Sequence, residues 1–595
     1  MEHTRLHIRG GQFLVATTDE QDVFTPEDCN EEHRMIAQTT DKFIEHHVAP
    51  HYEAIEQQDF GKVVELLHTA GELGLLGHSV PEQYGGLGMD KITKSIVGEQ
   101  IGRAGAYSVA HANHTCIATL PITYFGTPEQ KAKYLPKLAS GEYIGAYCLT
   151  EPSSGSDALG AKTTAKLNDA GTHYVFHGTK QYITNAEFAD TFIVYAKVDG
   201  DKFTAFLLEK DYPGLSLGPE ENKMGIKGSS TRPVILEDCL VPVENVLGEV
   251  GRGHLIAFNV LNLGRFNLGS ACMGGAKYSL KLAIDYTLTR QQFGKPLAAF
   301  PATQEKLANM ASRIYASESM QYRTAQLLEQ ALGDLYEETD HKLITQRLAE
   351  FAIECAMCKV FGSETLDGVN DEALQLHGGY GYIKEYAIER MYRDGRINRI
   401  FEGTNEINRL IVPSFLARKV KTGDLPVMEA VKQAVKELYI NDGKLFADSA
   451  APLTREKAIV ASIRRVFLAL LGVANETLGD RLDTEQETVM KLSDIAIHLY
   501  AAESAVLRTA KAITCNGREQ EQMKELLTLT YVDEALLEVE MLARKLLSGL
   551  FQGETLHTYL SLVQKELHRY PAEATVTRNR TIARRLLDAQ KYTCQ

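Results

Sequence analysis

The sequence lacks the features that would place it among membrane, secreted or nucleic-acid-binding proteins. No uninterrupted apolar run reaches the ~20 residues that a membrane-spanning helix needs. The first residues, MEHTRLHIRGGQFLV, lack the charged-then-apolar layout of a secretory signal. The formal net charge of -15 argues against a general nucleic-acid binder, although a local basic patch could still hold an anionic ligand. We therefore expect a cytoplasmic protein whose membrane contact is at most peripheral.

Metal and disulfide chemistry also find little support. The nine cysteines are scattered, and the single C-x-x-C, Cys355 and Cys358, has neither a second pair nor a histidine cluster beside it. Its surroundings, FAIECAMCKVFG, are typical of a helix, so we predict core packing for both thiols. The clustered histidines lack a completing set of acids or thiols, and we predict no metal site. These histidines are His46, His47, His51, His111 and His114.

What is present resembles an ordinary globular protein with several domains. The 595 residues, 44% hydrophobic and 24% charged, correspond to ~4 domain-sized units. Apolar spacing predicts helices over 35–145, 254–418 and 427–595, with an extension at 1–34. Residues 146–253 are rich in β-branched and aromatic residues and include a hairpin signal, Asp199-Gly200. We predict a mainly α protein with a central antiparallel β domain.

Four segments combine glycines with polar side chains at the edges of predicted elements. They are YCLTEPSSGSDA (147–158), KQYITNA (180–186), LTRQQFGKPLAAFPATQEKLA (288–308) and LQLHGGYGYIKEYAIERMYRDGRINRIFEGTNEI (374–407). Taken singly, each has a purely structural interpretation: a chain reversal, strand packing, or an ion-paired helix face. GEVGRG (248–253) imitates a dinucleotide fingerprint, but no strand–turn–helix unit surrounds it, so we reject that interpretation.

Taken together, these segments closely resemble the acyl-CoA dehydrogenase family over roughly residues 35–415. The first and the last of the four segments carry most of the resemblance. Two further stretches that match the family lie between them, in the order found in the family: KMGIKGSSTRPVILEDCLVPVENVLGEVGRG and LNLGRFNLG. The helical tail beyond residue 427 resembles the very-long-chain branch, whose members carry such an extension. The resemblance implies a helical domain, a β-barrel-like domain and a four-helix bundle, followed by an additional C-terminal helical domain.

The resemblance implies FAD-dependent α,β-dehydrogenation of fatty acyl-CoA thioesters, with long chains expected, to trans-2-enoyl-CoA in fatty acid β-oxidation. Electrons would pass to an electron-transfer flavoprotein. By similarity Glu402 is the base that takes the α-proton, and an apolar setting, to which Ile400 and Phe401 are suited, would raise its pKa toward the working pH. In some branches the base instead precedes the arginine corresponding to Arg265. That position is Gly264 here, which leaves Glu402.

The resemblance also assigns cofactor contacts. Tyr182 would stack on the flavin ring, Thr184 would hydrogen-bond near its N5, and Arg290 with Gln304 would reach the FAD of a neighbouring subunit. Such shared contacts imply a homodimer. The expected cofactor-binding residues are Tyr147, Leu149, Thr150, Ser156, Tyr182, Ile183, Thr184, Arg290, Phe293, Gln304, Gln375, Gly378, Gly379, Thr404 and Glu406.

For the substrate, Ser156, Asn262 and Arg265 match positions along the CoA arm, and Asn262 replaces an aspartate of some relatives. Phe401 and Gly403, which flank the base, are also expected substrate contacts. Two alternatives share the scaffold: an acyl-CoA oxidase-type flavoenzyme that uses oxygen, and a non-enzymatic assembly or scaffold role. For the tail, the favoured interpretation is a helical domain without ligand chemistry.

Overall fold

The N-terminal region is helical in the computed structural model, which describes residues 8–446 and 451–594. The start of its last helix follows from the sequence, because Thr127 and Gln130 cap each other reciprocally and Pro128 occupies the first helical position. The residues of the predicted extension that precede Ile8 lie outside the described part. The helices are α1 (Glu31–Phe43), α2 (Tyr52–Glu56), α3 (Phe60–Glu72), α4 (Lys91–Ile101), α5 (Ala106–Ala112), α6 (Leu120–Phe125) and α7 (Pro128–Ser140).

The middle region is an eight-stranded sheet with the order β6-β7-β3-β2-β4-β5-β8, and β1 pairs with β4. The predicted hairpin is confirmed: Val198 lies opposite Lys202, and Asp199 and Gly200 both have positive φ between them. The strands are β1 (Gly145–Cys148), β2 (Thr164–Leu167), β3 (His173–Thr184), β4 (Thr191–Val198), β5 (Lys202–Glu209), β6 (Leu215–Leu217), β7 (Thr231–Pro242) and β8 (Val246–Leu247).

The sheet is mixed, whereas the sequence predicted antiparallel strands throughout. Strands β1 and β2 both run parallel to β4, and the other pairs are antiparallel. A parallel pair cannot be closed by a hairpin and needs a long connection. Here other strands intervene between the partners along the chain, so no local turn signal announces the parallel pairs.

The third region is a bundle of long helices around α8 and α11. Cys355 and Cys358 are buried on α11, which agrees with the predicted core packing. The last helix ends at Thr422, one turn beyond the predicted end. The elements are α8 (Gly253–Thr289), β9 (Gln291–Gln292), β10 (Lys295–Pro296), α9 (Pro301–Leu332), α10 (His341–Ala349), α11 (Ala352–His377), α12 (Ala387–Gly395) and α13 (Asn405–Thr422).

The C-terminal helices share one hydrophobic core with this bundle. Phe467 and Tyr531 of the tail lie in the same buried cluster as Tyr315 and Met357 of the bundle. Within the described residues, Thr454–Thr484 is the one helical stretch that meets length and hydropathy criteria for a membrane span, but 72% of its apolar window is buried inside the protein. The helices are α14 (Val427–Ile440), α15 (Thr454–Leu478), α16 (Gln486–Asn516), α17 (Gln522–Leu550), α18 (Gly553–Leu567) and α19 (Thr575–Ala589).

Candidate active site

Glu402 lies on a sharp turn immediately before α13. Its φ is 57° and that of Gly403 is 78°, so two consecutive residues adopt the left-handed conformation. For a residue with a side chain this costs ~1–2 kcal/mol. The turn directs the carboxylate against α8 at Gly264, where an added Cβ would lie 2.8 Å from Glu402 Oε2 and 3.2 Å from Ile117 Cγ2. The missing side chain at Gly264 therefore provides the space that the carboxylate occupies.

Side chains from three helices hold the carbonyl groups of this turn. Asn408 Nδ2 donates to the backbone oxygens of Glu402, Gly403 and Thr404, at 3.3, 2.8 and 3.0 Å. Lys359 Nζ on α11 donates to Gly403 O at 2.9 Å, and Arg265 Nε on α8 to Glu402 O at 3.4 Å. The left-handed turn is thus fixed from outside, as strained backbone at functional sites generally is.

The carboxylate of Glu402 is poised to exchange a proton near neutral pH. Burial raises its pKa from 4.5 to about 7, and the charges of Arg265 and Lys359 offset part of that rise. Its Oε2 atom has no hydrogen-bond partner among the residues that the structure describes. Ile400, one of the two residues expected to shield the acid, is 48% exposed. The turn points the acid toward Gly264 on α8.

An exposed aromatic ring marks the nearby edge of the sheet. Tyr182 has a φ of 58° and lies where the register between β3 and β7 shifts, between Lys180 and Ile183. The bulge leaves the Tyr182 side chain 63% exposed, whereas that of Ile183 is buried in the core of the sheet. Thr184, opposite Thr231, is partly open. Ile183 can therefore offer only its backbone to a ligand here.

The segment 147–158 is anchored to the same strand by a buried ion pair. Lys180 Nζ lies 2.6 Å from Glu151 Oε1, and both side chains are almost fully buried. Gln181 N donates to Thr150 O at 2.9 Å. Thr150 and Leu149 are partly open, and Ser156 is exposed at the end of the segment. Of the predicted contacts in this segment, these three side chains can reach a ligand.

Tyr147 occupies a different environment from its neighbours in that segment. Its ring is buried and meets Tyr195 edge-on at 5.4 Å. Burial raises the pKa of its hydroxyl well above the usual value, so the group stays neutral. The Tyr147 side chain therefore packs beneath the surface, whereas Leu149, Thr150 and Ser156 are open to a ligand.

A second candidate binding region is an open cleft of about 540 Å³ where α8 and α11 end. Arg290, Gln375, Gly378 and Gly379 all line it, as the sequence predicted for one group of cofactor contacts. No atom lies within 4 Å of the Cβ positions of Gly378 and Gly379, so the glycines leave the cleft open. The Arg290 guanidinium lies 5.3 Å from the ring centre of Tyr380, which also lines the cleft.

Two other residues predicted for that group lie outside the cleft lining. Gln304 donates through Nε2 to Ala298 O at 3.0 Å, and Phe293 is 93% exposed between β9 and β10. The cleft is also distant from the acid: Gln375 follows Lys359 by sixteen residues on α11, or roughly 24 Å along the helix. One chain therefore presents the two predicted groups of ligand contacts at separate places.

Two of the three residues predicted to contact the CoA arm, Asn262 and Arg265, lie on α8 near the acid, whereas Ser156 lies in the loop after β1. Arg265 Nη1 donates to Asn262 Oδ1 at 2.8 Å, and both side chains are buried. Phe401 is partly buried against the core of the bundle. The Thr404 side chain caps α13 by accepting a hydrogen bond from Ile407 N. Glu406, in the first turn of the helix, is exposed.

Sequence reasoning missed Lys359, Asn405 and Asn408, which hold the catalytic turn. Lys359 Nζ donates to Asn405 Oδ1 at 2.7 Å as well as to the turn. A signal existed: Lys359 stands within an apolar helical stretch, and a fully buried lysine is rare unless it has partners. Burial lowers its pKa to about 8, while nearby acidic groups including Glu402 raise it.

Comparison with protein-family models divides the chain into four matched parts. The acyl-CoA dehydrogenase N-terminal domain matches residues 30–142, the middle domain 146–239 and a C-terminal domain 251–416. A second model, also described as an acyl-CoA dehydrogenase C-terminal domain, matches residues 462–565. The candidate acid, the exposed ring and the cleft all lie within the first three parts.

Individual relatives match the chain over most of its length. A probable acyl-CoA dehydrogenase of Bacillus subtilis is 50% identical, over 98% of both chains. A very long-chain specific mitochondrial acyl-CoA dehydrogenase of Macaca fascicularis is 35% identical, over 84% of this chain and 77% of its own. The crystal structure of an acyl-CoA dehydrogenase complexed with FAD from Bacillus anthracis has a TM-score of 0.96 at 51% identity, covering 98% of this chain and 100% of that one.

Proposed function

The chain belongs to the acyl-CoA dehydrogenase family and is an FAD-dependent acyl-CoA dehydrogenase, and we propose that it oxidises long-chain fatty acyl-CoA thioesters with Glu402 as the base. The observation that carries the assignment of the base is its carboxylate, which is buried against α8 without a partner among the described residues and has a pKa of about 7. A base with that pKa is about half ionised at neutral pH, and its pKa near the working pH suits it to accept a proton.

The reaction requires this chain to remove a proton from the carbon next to the thioester carbonyl. We assign that transfer to the Glu402 carboxylate, and we assign to its backbone N–H a hydrogen bond to the thioester oxygen, where negative charge develops. FAD, when bound, supplies the acceptor for the hydride that leaves Cβ. The interactions of Asn408 and Lys359 with the turn keep the carboxylate and the N–H in fixed relative positions.

The residues around the acid fit a flavin. Tyr182 offers an exposed aromatic face that the bulge in β3 holds outward, and Thr184 follows on the same strand. Leu149, Thr150 and Ser156 would lie along the ring, while Thr404 and Glu406 would approach from the start of α13. The unpartnered Oε2 of Glu402 is the atom that would face substrate between this ring and α8.

We also propose a homodimer, which the separation of the two groups of contacts supports. Arg290, Gln375, Gly378 and Gly379 would receive the dinucleotide end of the FAD held by a second subunit, because on one chain they lie far along α11 from the acid. Phe293 projects from the β9–β10 hairpin, as a residue that inserts into a partner would. Light scattering should give twice the chain mass for wild type, and Phe293→Asp should reduce both dimer content and bound FAD.

The base and the chain-length preference can be tested in one experiment. Under anaerobic conditions the holoenzyme is mixed with straight-chain acyl-CoAs from short to very long, and bleaching of the flavin absorbance is followed. We expect the fastest bleaching with long chains. Glu402→Gln should retain its FAD and fail to bleach; bleaching of this variant at the wild-type rate would refute the assignment of the base.

We further propose that the electrons pass to an electron-transfer flavoprotein and that the enzyme serves fatty acid β-oxidation in the cytoplasm. The very long-chain specific relative supports the substrate class. Adding such a flavoprotein to substrate-reduced enzyme should restore its yellow colour rapidly, and air should restore it slowly. Rapid peroxide formation in air would indicate an oxidase instead, and purification without FAD would favour a scaffold role.

A further inference from the structure

The additional C-terminal helices reach the helix that follows the catalytic turn. Arg409 on α13 forms an ion pair with Asp494 of α16, with Nε 2.6 Å from Oδ1. In the same place Ser493 Oγ donates to Arg409 O at 2.7 Å. These contacts tie α16 to α13 at the residue directly after Asn408, which holds the turn of Glu402.

The same arginine continues the contact into the bundle. Its Nη1 lies 2.8 Å from Glu364 Oε1, and its Nη2 donates to Glu364 Oε2 at 3.0 Å, so the guanidinium holds this carboxylate of α11 at two points. Such a planar two-point pair defines orientation as well as distance. Arg409 is therefore held by one acid from the tail and one from the bundle.

From Glu364 the hydrogen bonds lead to the turn itself. Asn405 Nδ2 donates to Glu364 Oε1 at 3.0 Å, and Asn405 Oδ1 accepts from Lys359 Nζ at 2.7 Å. Lys359 Nζ in turn donates to Gly403 O at 2.9 Å. The residue before Gly403 is the base. An unbroken series of contacts thus joins Asp494 to the carbonyl of Gly403, the residue directly after Glu402.

Burial strengthens the inner end of the series. The side chains of Asp494, Arg409 and Glu364 are 25%, 14% and 26% exposed, whereas Asn405 and Lys359 at the inner end are buried. Hydrogen bonds become stronger and more interdependent as the local dielectric constant falls. If the outer pair of Asp494 with Arg409 loosens, the displacement therefore passes to the inner residues, because the position of each one depends on that of its neighbour.

We propose that Asp494 of the C-terminal region is a positioning residue for the dehydrogenation: through Arg409, Glu364, Asn405 and Lys359 it fixes the turn that carries Glu402. This inference rests on the proposed role of Glu402. It gives the additional helices a part in the reaction, although they contribute no group that touches the substrate. Their effect is exerted on the orientation of the base and not on the affinity for the acyl chain.

The test compares Asp494→Asn with a control pair at the same junction. Arg313 Nη1 on α9 lies 2.9 Å from Glu534 Oε1 on α17, with side chains 30% and 32% exposed, and this pair also joins the tail to the bundle. Glu534→Gln therefore removes a similar ion pair that, among the described residues, forms no hydrogen bond with a member of the series. The Arg313 charge, which also acts on Glu364, is retained in this variant. Each holoenzyme is assayed for FAD content, melting temperature, the anaerobic rate of flavin reduction at saturating long-chain acyl-CoA, and KM.

For Asp494→Asn we expect flavin reduction to slow by about threefold to tenfold, the effect of one partly exposed ion pair. KM and FAD content should stay unchanged, and Asp494→Glu should recover most of the rate. The melting temperature of Glu534→Gln should fall by as much as that of Asp494→Asn, but its rate of flavin reduction should equal that of wild type. If Asp494→Asn does not fold, Ser493→Ala, which removes the neighbouring hydrogen bond to Arg409, should show a smaller slowing of the same kind.

Equal reduction rates in Asp494→Asn, Glu534→Gln and wild type would overturn the inference, as would a loss confined to KM or FAD content. Those results would leave the proposed function intact, since it depends on Glu402→Gln. Conversely, bleaching of Glu402→Gln at the wild-type rate would refute the assignment of the base whatever the Asp494 variants show.

Discussion

At the scale of single residues, the site concentrates unfavourable conformations and charges in one place. The backbone of Glu402 adopts the left-handed conformation, which is unfavourable for any residue other than glycine. The Oε2 atom of its buried carboxylate has no hydrogen-bond partner among the described residues. Lys359, an ammonium group, is buried beside it. Each feature lowers stability, and together they give Glu402 a fixed direction and a pKa of about 7, both of which suit the proposed proton transfer.

The first prediction concerns the stability cost of the base. The pKa of Glu402 is about 7 in the fold against 4.5 unperturbed, so its charged form opposes folding. This penalty is complete above the folded pKa and disappears as the pH falls below the unfolded one. At pH 8 Glu402→Gln should therefore be more stable to denaturant than wild type, by about 1–3 kcal/mol. The advantage should shrink steadily toward pH 4.5; a pH-independent difference would contradict the assigned pKa.

The second prediction concerns Gly264. A Cβ at this position would lie 2.8 Å from Glu402 Oε2, so Gly264→Ala should displace the carboxylate. Flavin reduction should slow by about tenfold or more, because a small displacement of a reacting group is costly. The FAD content should be normal. The control is Gly368→Ala on α11, where nothing lies within 4 Å of the added Cβ. An unaltered rate in Gly264→Ala would show that the carboxylate has room elsewhere.

At the scale of secondary structure elements, local irregularities place the ligand-facing groups. The bulge in β3 turns Tyr182 outward while Ile183 stays in the core. The loop after β1 would otherwise be an exposed serine-rich turn, but the pair of Glu151 with Lys180 fixes it to the bulged strand. Glu151 also accepts hydrogen bonds from Lys162 N and Thr163 N. The two segments proposed to face the flavin are thus joined to each other.

The third prediction tests this anchor. Lys180→Met leaves the Glu151 carboxylate buried without its cation, which should cost about 3 kcal/mol of stability. FAD should also be lost more readily, because the anchored loop carries Leu149 and Thr150. The matched control is Lys202→Met. The ion pair of Lys202 with Asp199 is more than half exposed, so its loss should lower the free energy of unfolding by less than about 1 kcal/mol. Urea denaturation and FAD retention on gel filtration measure both effects; equal behaviour of the two variants would refute the anchoring role.

At the scale of the whole molecule, the C-terminal helices and the catalytic bundle form one cooperative body. Their apolar side chains share a core, and the N-terminal segment binds both. Arg464 Nε of the tail donates to Phe13 O at 2.9 Å. Arg508 lies 2.7 Å from Glu27 and 2.6 Å from Glu318 of α9. Separating the tail from the rest of the molecule would break these pairs and leave unpaired charges on both sides. The buried pairs therefore strongly disfavour such a separation.

The fourth prediction follows from that shared core. Calorimetry of the holoenzyme should show a single unfolding transition for bundle and tail together. Ending the chain after residue 426 should expose the apolar face of α9 and give insoluble protein. Two resolved transitions, or a soluble truncated enzyme that binds FAD, would show that the tail folds independently.

The sequence alone determined the order of helical and β regions and the hairpin at Asp199-Gly200, and it supplied the candidate for the acid, Glu402. These depend on local patterns and on contiguous motifs such as FEGTNEINR. Only the tertiary structure decided the parallel pairing of β1 and β2 with β4, the position of the Glu402 carboxylate against Gly264 of α8, and the series from Lys359 to Asp494. Each brings together residues far apart in the chain, and the burial that shifts a pKa arises when separate elements pack.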